Sequence, residues 1–243
     1  MVRGSSDPRW CRVANPFESI LFYIVFLFSV TLHEAAHAWV AMLGGDLTAY
    51  RGGQVSINPV PHIRREPFGM VILPLISVFL SGWPLGFASA PYDPSWARRY
   101  PKRAAVMSLA GPAANLLLFL LAALAVRAGL SQGTFVPAQS IRIGQVTGAT
   151  SAGWESMALV VSAFFSLNLV LFVLNILPVP PLDGSGALPL FLSPGATARY
   201  QEIFAQPMVG MVGMLVTWRI FGEIFRPVFL FCVNLLYPGS PYG

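Results

Sequence analysis

Five apolar blocks fill most of this 243-residue chain: 17–43, 68–90, 104–126, 157–177 and 208–236. A helix needs about 20 apolar residues to cross a hydrocarbon core of ~30 Å. In lipid, every backbone N–H and C=O must be paired inside the protein. The blocks therefore predict an all-α polytopic membrane protein, a bundle of about four to six transmembrane or re-entrant helices. Composition agrees: 55% of the residues are apolar and 10% are charged, against about 25% charged in a soluble domain. The length fits one integral-membrane domain, 1–243.

The blocks differ in quality. The first and third read as clean spans, and the fourth ends at Pro178, Pro180 and Pro181. The second is interrupted by Pro74, Gly82, Pro84 and Gly86 and reads as re-entrant or kinked. The fifth carries Arg219, Glu223 and Arg226, spaced to share one helix face and pair. It reads as two shorter pieces or a hairpin, about 207–236, rather than one span. Between the first two blocks, LTAYRGGQVSIN (47–58) reads as two short strands about a Gly-Gly turn, a small membrane-associated β-hairpin. Cys11 and Cys232 cannot form a disulfide framework. The net charge of +5 sits in short loops between apolar blocks, which is a membrane-topology pattern and not a nucleic-acid patch. The first run is too long for a secretory leader, and no small-residue cleavage site follows it.

Into the first block the chain places HEAAH: His33, Glu34 and His37. Ionisable groups at membrane depth are costly and generally functional. On a helix, positions i and i+4 share a face, so both imidazoles can grip one ion while the glutamate acts on a bound water. Zinc suits such ligands, and a catalytic site adds a third protein ligand and leaves one position open. Asp7, Asp46, Asp93, Asp183, His62 and the remaining glutamates are the candidates. Asp183 stands out, because the prolines of NILPVPPLDGSG prevent regular helix there. Irregular backbone at membrane depth is tolerated only inside protein or at a wet cavity. An isolated Asp-Gly is otherwise most often a surface turn.

HEAAH in the first block and NILPVPPLDG after the fourth resemble the site-2 protease family of intramembrane zinc metalloproteases. The resemblance spans about 17–188 and is closest to compact bacterial members lacking PDZ or CBS domains. It implies one zinc per chain, held by His33, His37 and Asp183, with Glu34 as the base that activates the zinc-bound water. It implies that Asn175 helps hold substrate or the developing oxyanion. INPVPHI (57–63) and SLAGPAANLLL (108–118) also resemble compact members, and Asn58 and His62 are carried as substrate-handling candidates. The chain departs from the family at His62-Ile63-Arg64-Arg65, at GFASAPYD and at Gly184-Ser185. Single-span membrane proteins are the implied substrates and the bilayer the surroundings. The rival readings are a membrane metal transporter or sensor using the same ligands, and a proteolytically silent relative that binds membrane partners.

For His33 and Asp183 to meet, the first and fourth blocks must run in the same direction. A re-entrant second block followed by one span achieves this. The loops on the side of the site then hold Arg51, Arg64, Arg65, Arg98, Arg99, Lys102, Arg103 and Arg199, against Arg142 opposite. This puts the site toward the cytoplasm of a bacterial inner membrane by the positive-inside rule, although Arg3, Arg9 and Arg12 oppose that orientation. The hairpin expected at 47–58 would hold an unwound substrate by strand addition.

Overall fold

The computed structural model describes residues 16–239 and Tyr242. Asp7, Cys11 and the N-terminal arginines lie outside the described residues. Among the described residues, four helices are long and apolar enough to cross a membrane: α1 (Pro16–Leu43), α6 (Pro101–Ser131), α7 (Ala152–Asn175) and α10 (Pro207–Leu236). Between α1 and α6 come α2 (Thr48–Arg51), α3 (Pro59–Arg65), α4 (Phe68–Ser81, opening as a π turn) and α5 (Pro94–Arg99). Strands β1 (Phe135–Arg142) and β2 (Gln145–Ala149) join α6 to α7, and α8 (Asp183–Ala187) and α9 (Pro194–Phe204) join α7 to α10.

The second block is re-entrant, as its prolines and glycines predict. α4 ends at Gly82, whose φ of 73° suits a residue without Cβ. The Ser77 hydroxyl accepts from Leu85 N–H at 2.7 Å and fastens the turn. Trp83 packs on Phe22, six residues into α1, with ring centroids 5.5 Å apart. The chain then returns without regular structure to the end it left. There Asp46 accepts from Thr48 N–H and hydroxyl and from Asp93 N–H, at 2.6–2.9 Å. Trp96 Nε1 and Arg103 Nη1 both donate to Gly44 C=O at 3.1 Å. These bonds put the end of α1 and the start of α6 on one side of the membrane. Since α6 crosses to the other side and α7 returns, α1 and α7 run the same way, as the two halves of the site require.

Two expectations are corrected. Residues 47–58 form no hairpin: Thr48–Arg51 is a helical turn, Gly53 takes φ 73°, and Asn58 begins α3. The two-stranded antiparallel sheet is instead β1–β2, on the opposite side. Its inner edge is bonded by α7: the Ser166 hydroxyl accepts from Gly144 N–H at 2.9 Å, and that of Ser162 accepts from Val146 and Thr147 N–H at 3.2 and 3.3 Å. Tyr237 donates to Val146 C=O at 2.8 Å. These bonds satisfy backbone that lipid would leave unpaired. The second correction is the C-terminal block, which is one continuous 30-residue helix with Pro227 inside it.

The main core gathers Phe119, Val126, Phe165, Phe225, Phe229 and Val233 from α6, α7 and α10. A second core packs α1 and the re-entrant segment on α7 through Phe22, Phe26, Met70, Val78 and Leu167. Ser162→Val is expected to leave two buried N–H groups unbonded and to destabilise the fold by about 1–3 kcal/mol. A lowered thermal midpoint in detergent checks this.

Candidate metal centre

His33 and His37 face the same way from α1, one turn apart. Asp183 reaches them from the first residue of α8. His33 Nε2 and His37 Nε2 stand 3.0 Å apart, and Asp183 Oδ2 lies 3.0 and 3.3 Å from them. One donor atom from each residue falls within 4.8 Å of the others. The triangle is close to the roughly 3.4 Å separating two ligands held ~2.1 Å from one ion in a tetrahedron.

Two close approaches make this possible. A Cβ on Gly111 of α6 would collide with Nε2 of both histidines, so glycine lets α6 lie directly over the imidazoles. A Cβ on Gly184 would collide with Ile176 C=O, so glycine after Asp183 lets α8 fold back against the end of α7. Ser185, at the Gly184-Ser185 departure from the family pattern, closes the turn through a 2.7 Å bond to Leu182 C=O.

The outer nitrogens settle the tautomers. His37 Nδ1 lies 2.7 Å from Met107 C=O, which can only accept, so Nδ1 carries the hydrogen. The His33 tautomer is set through two buried asparagines. Asn168 Nδ2 donates to Phe164 C=O at 2.9 Å and to Ser29 Oγ at 3.0 Å. Its Oδ1 therefore faces Asn115 Nδ2, at 2.9 Å. Asn115 Oδ1 then faces His33 Nδ1, at 2.6 Å, and that nitrogen must donate. Both Nε2 atoms consequently present lone pairs to each other and to a carboxylate. Asp183 Oδ2 is buried without a hydrogen-bond donor. Three converging lone-pair donors without a proton among them repel unless a cation joins them, so the residues present fit a zinc ion. Outer hydrogen bonds of this kind orient metal-bound histidines.

A cavity of about 980 Å³ opens over the cluster, at the upper end of the usual range for ligand pockets. Glu34 and Asn175 line it with the three donors. Glu34 is 4% exposed, and its Oε2 has no hydrogen-bond partner. Tyr200 of α9 bonds Ser185 C=O at 2.6 Å, and Gln201 bonds Ala97 C=O at 3.5 Å, so α9 is tied to two other parts of the cavity wall.

The structure thus brings together His33, Glu34, His37, Asn175 and Asp183. It does not bring Asn58 or His62 to the cavity. Asn58 caps α3, accepting from Val60 N–H at 3.0 Å. His62 is buried beside it, with Nε2 3.0 Å from Ser56 C=O. Asp46 and Asp93, two other candidate ligands, are held in the loop bonds described above. Asn115 and Asn168 had no role expected from the sequence. Their signal was an amide in the middle of an otherwise clean span.

Fold and site together define an integral-membrane zinc metalloprotease. The chain belongs to the family described as peptidase family M50, whose sequence model matches residues 21–218. YwhC of Bacillus subtilis, which bears a zinc metalloprotease name, is 30% identical over 231 residues, covering 86% of this chain and 95% of that protein. Rip2 of Mycolicibacterium smegmatis, named likewise, is 31% identical over 175 residues, covering 72% of this chain and 58% of that protein. No solved structure matches.

Asn115→Leu removes the acceptor that orients His33 and is expected to weaken zinc binding roughly 10- to 100-fold. Asn115→Asp keeps an acceptor there and is expected to retain zinc. Competition with a chromogenic chelator measures both.

Proposed function

We propose that this metalloprotease hydrolyses peptide bonds of membrane-embedded proteins, with zinc held by His33, His37 and Asp183 and with Glu34 as general base. The observation that carries the reading is the convergence of three proton-free donor atoms beside a buried glutamate in one large cavity. Zinc bound there supplies Lewis-acid activation of water and of the scissile carbonyl. Glu34 takes the proton from the attacking water and passes it to the leaving amine. Asn175, on the cavity wall, donates from its amide to the developing oxyanion. The bonds from Asn115 and Met107 hold the imidazoles in the correct tautomer throughout.

A substrate helix must unwind to expose a carbonyl. The cavity wall from Gly86 to Ala90 has no regular secondary structure. Phe87 N–H is bonded to Gly69 C=O, and Ser89 C=O accepts from Arg65. Among the described residues, no backbone bond engages Ala88 or Ala90. This edge replaces residues 47–58 as the segment to which an unwound substrate adds as a strand. Single-span proteins are the simplest substrates, since one helix can enter beside α10. The basic loops on the side of the site orient it toward the cytoplasm of a bacterial inner membrane.

Glu34→Gln is expected to keep zinc but to lose cleavage of a membrane-protein substrate by at least 1,000-fold in reconstituted vesicles, an estimate that assigns Glu34 most of the general-base effect. A metal carrier using the same ligands would keep transporting, and sustained cleavage would contradict the assigned base. Ala88→Pro is expected to lower cleavage about tenfold or more while zinc content stays unchanged, by removing one strand-pairing N–H.

A further inference from the structure

α10 is the least enclosed of the four spans: 17% of its most apolar stretch is buried, against 56% for α1 and α7. Its inner face enters the core through Phe225, Phe229 and Val233. Arg219, Glu223 and Arg226 lie on another face, and all three are exposed. The pairing expected of them is not found: among the described residues, no ion pair includes any of the three.

Their depth follows from neighbouring contacts. Gly213 lies against Pro180, just past the end of α7, and Leu236 C=O accepts from Arg127 at the far end of α6. α10 therefore crosses the full depth. Phe229 meets Phe165, near the middle of α7, with ring centroids 6.4 Å apart. At 1.5 Å per residue, Arg226 then lies about 4.5 Å, Glu223 about 9 Å and Arg219 about 15 Å from that mid-level, toward the active-site end. Arg219 reaches the headgroups, as long basic side chains do. Glu223 and Arg226 do not escape a hydrocarbon core of ~30 Å. Intramembrane charges normally face a bundle interior or a wet cavity, or pair with each other. These two face outward.

We propose that this face of α10 is the contact between two copies of the chain, closed by reciprocal Glu223–Arg226 ion pairs. All copies insert in the same direction, so two α10 helices meet in parallel about an axis along the membrane normal. That symmetry makes the contact reciprocal: when the carboxylate of one copy meets the guanidinium of the other, the second pair forms as well, leaving no net charge at depth. Helical side chains lean toward the helix N-terminus, which brings the Arg226 guanidinium up to the level of Glu223. A partner bearing one acid would leave Glu223 uncompensated, whereas a second copy satisfies both groups. Gly222, beside them, has open space at its Cβ position and permits close helix approach.

The test uses the full chain with Cys11 and Cys232 changed to Ser, in vesicles at high lipid dilution. Gly222→Cys is expected to form disulfide-linked dimers on mild oxidation, and Phe231→Cys, on the lipid side of α10, is not. Glu223→Arg or Arg226→Glu, added singly to Gly222→Cys, is expected to cut its cross-linking at least tenfold. The two reversals together are expected to restore it, with zinc content unchanged throughout. A Gly222→Cys protein that stays monomeric while zinc-replete would overturn the proposal. So would cross-linking indifferent to the single charge reversals, or equal cross-linking of the Phe231→Cys protein.

Discussion

A carbonyl oxygen cannot donate a hydrogen bond, and the metal centre is built on that constraint. Phe164 C=O fixes which end of the Asn168 amide faces it, Asn168 fixes Asn115, and Asn115 fixes the proton on His33 Nδ1. Met107 C=O does the same for His37 directly. The outcome is two Nε2 lone pairs aimed at Asp183. Everything else serves that convergence: Gly111 lets α6 lie over the imidazoles, Gly184 turns the chain beside Asp183, and the re-entrant segment makes α1 and α7 parallel.

The same accounting separates the protein's interior from its surface. Ser29, Asn115 and Asn168 sit near the middle of their spans, are fully buried and bond one another. β1–β2 uses α7 hydroxyls to occupy its inner edge. Away from the metal centre, these mid-span and sheet-edge polar groups are matched to partners, as a bilayer demands. The outward charges of α10 depart from that pattern, and a second copy restores it.

The donor cluster was legible in the sequence because few residues there could serve any other purpose. Two histidines and a glutamate in a lipid-length run, and a carboxylate in proline-broken chain after another, left a narrow set of solutions. The parallel arrangement of the first and fourth spans followed from the same residues. What escaped depended on tertiary partners. Residues 47–58 alternate like a hairpin, but Asn58 followed by Pro59 is also a helix start, and the structure takes that option. In β1, Pro137 disguised a strand, and the hydroxyls that complete the sheet lie on α7. Arg219, Glu223 and Arg226 suggested two shorter pieces at 207–236, but the packing of Phe225 and Phe229 carries one helix through them, and through Pro227. Asn58 and His62 were singled out by resemblance, and their bonds lie within 56–62, away from the cavity lining.

The most direct measurement is zinc per chain in the purified protein, wild type beside Asp183→Ala. The account predicts one zinc per wild-type chain and its loss, or a sharp fall in affinity, in the variant, because the third donor of a single site is gone. Full zinc in Asp183→Ala, or none in the wild type, would contradict the joining of α1 and α8 into one metal centre.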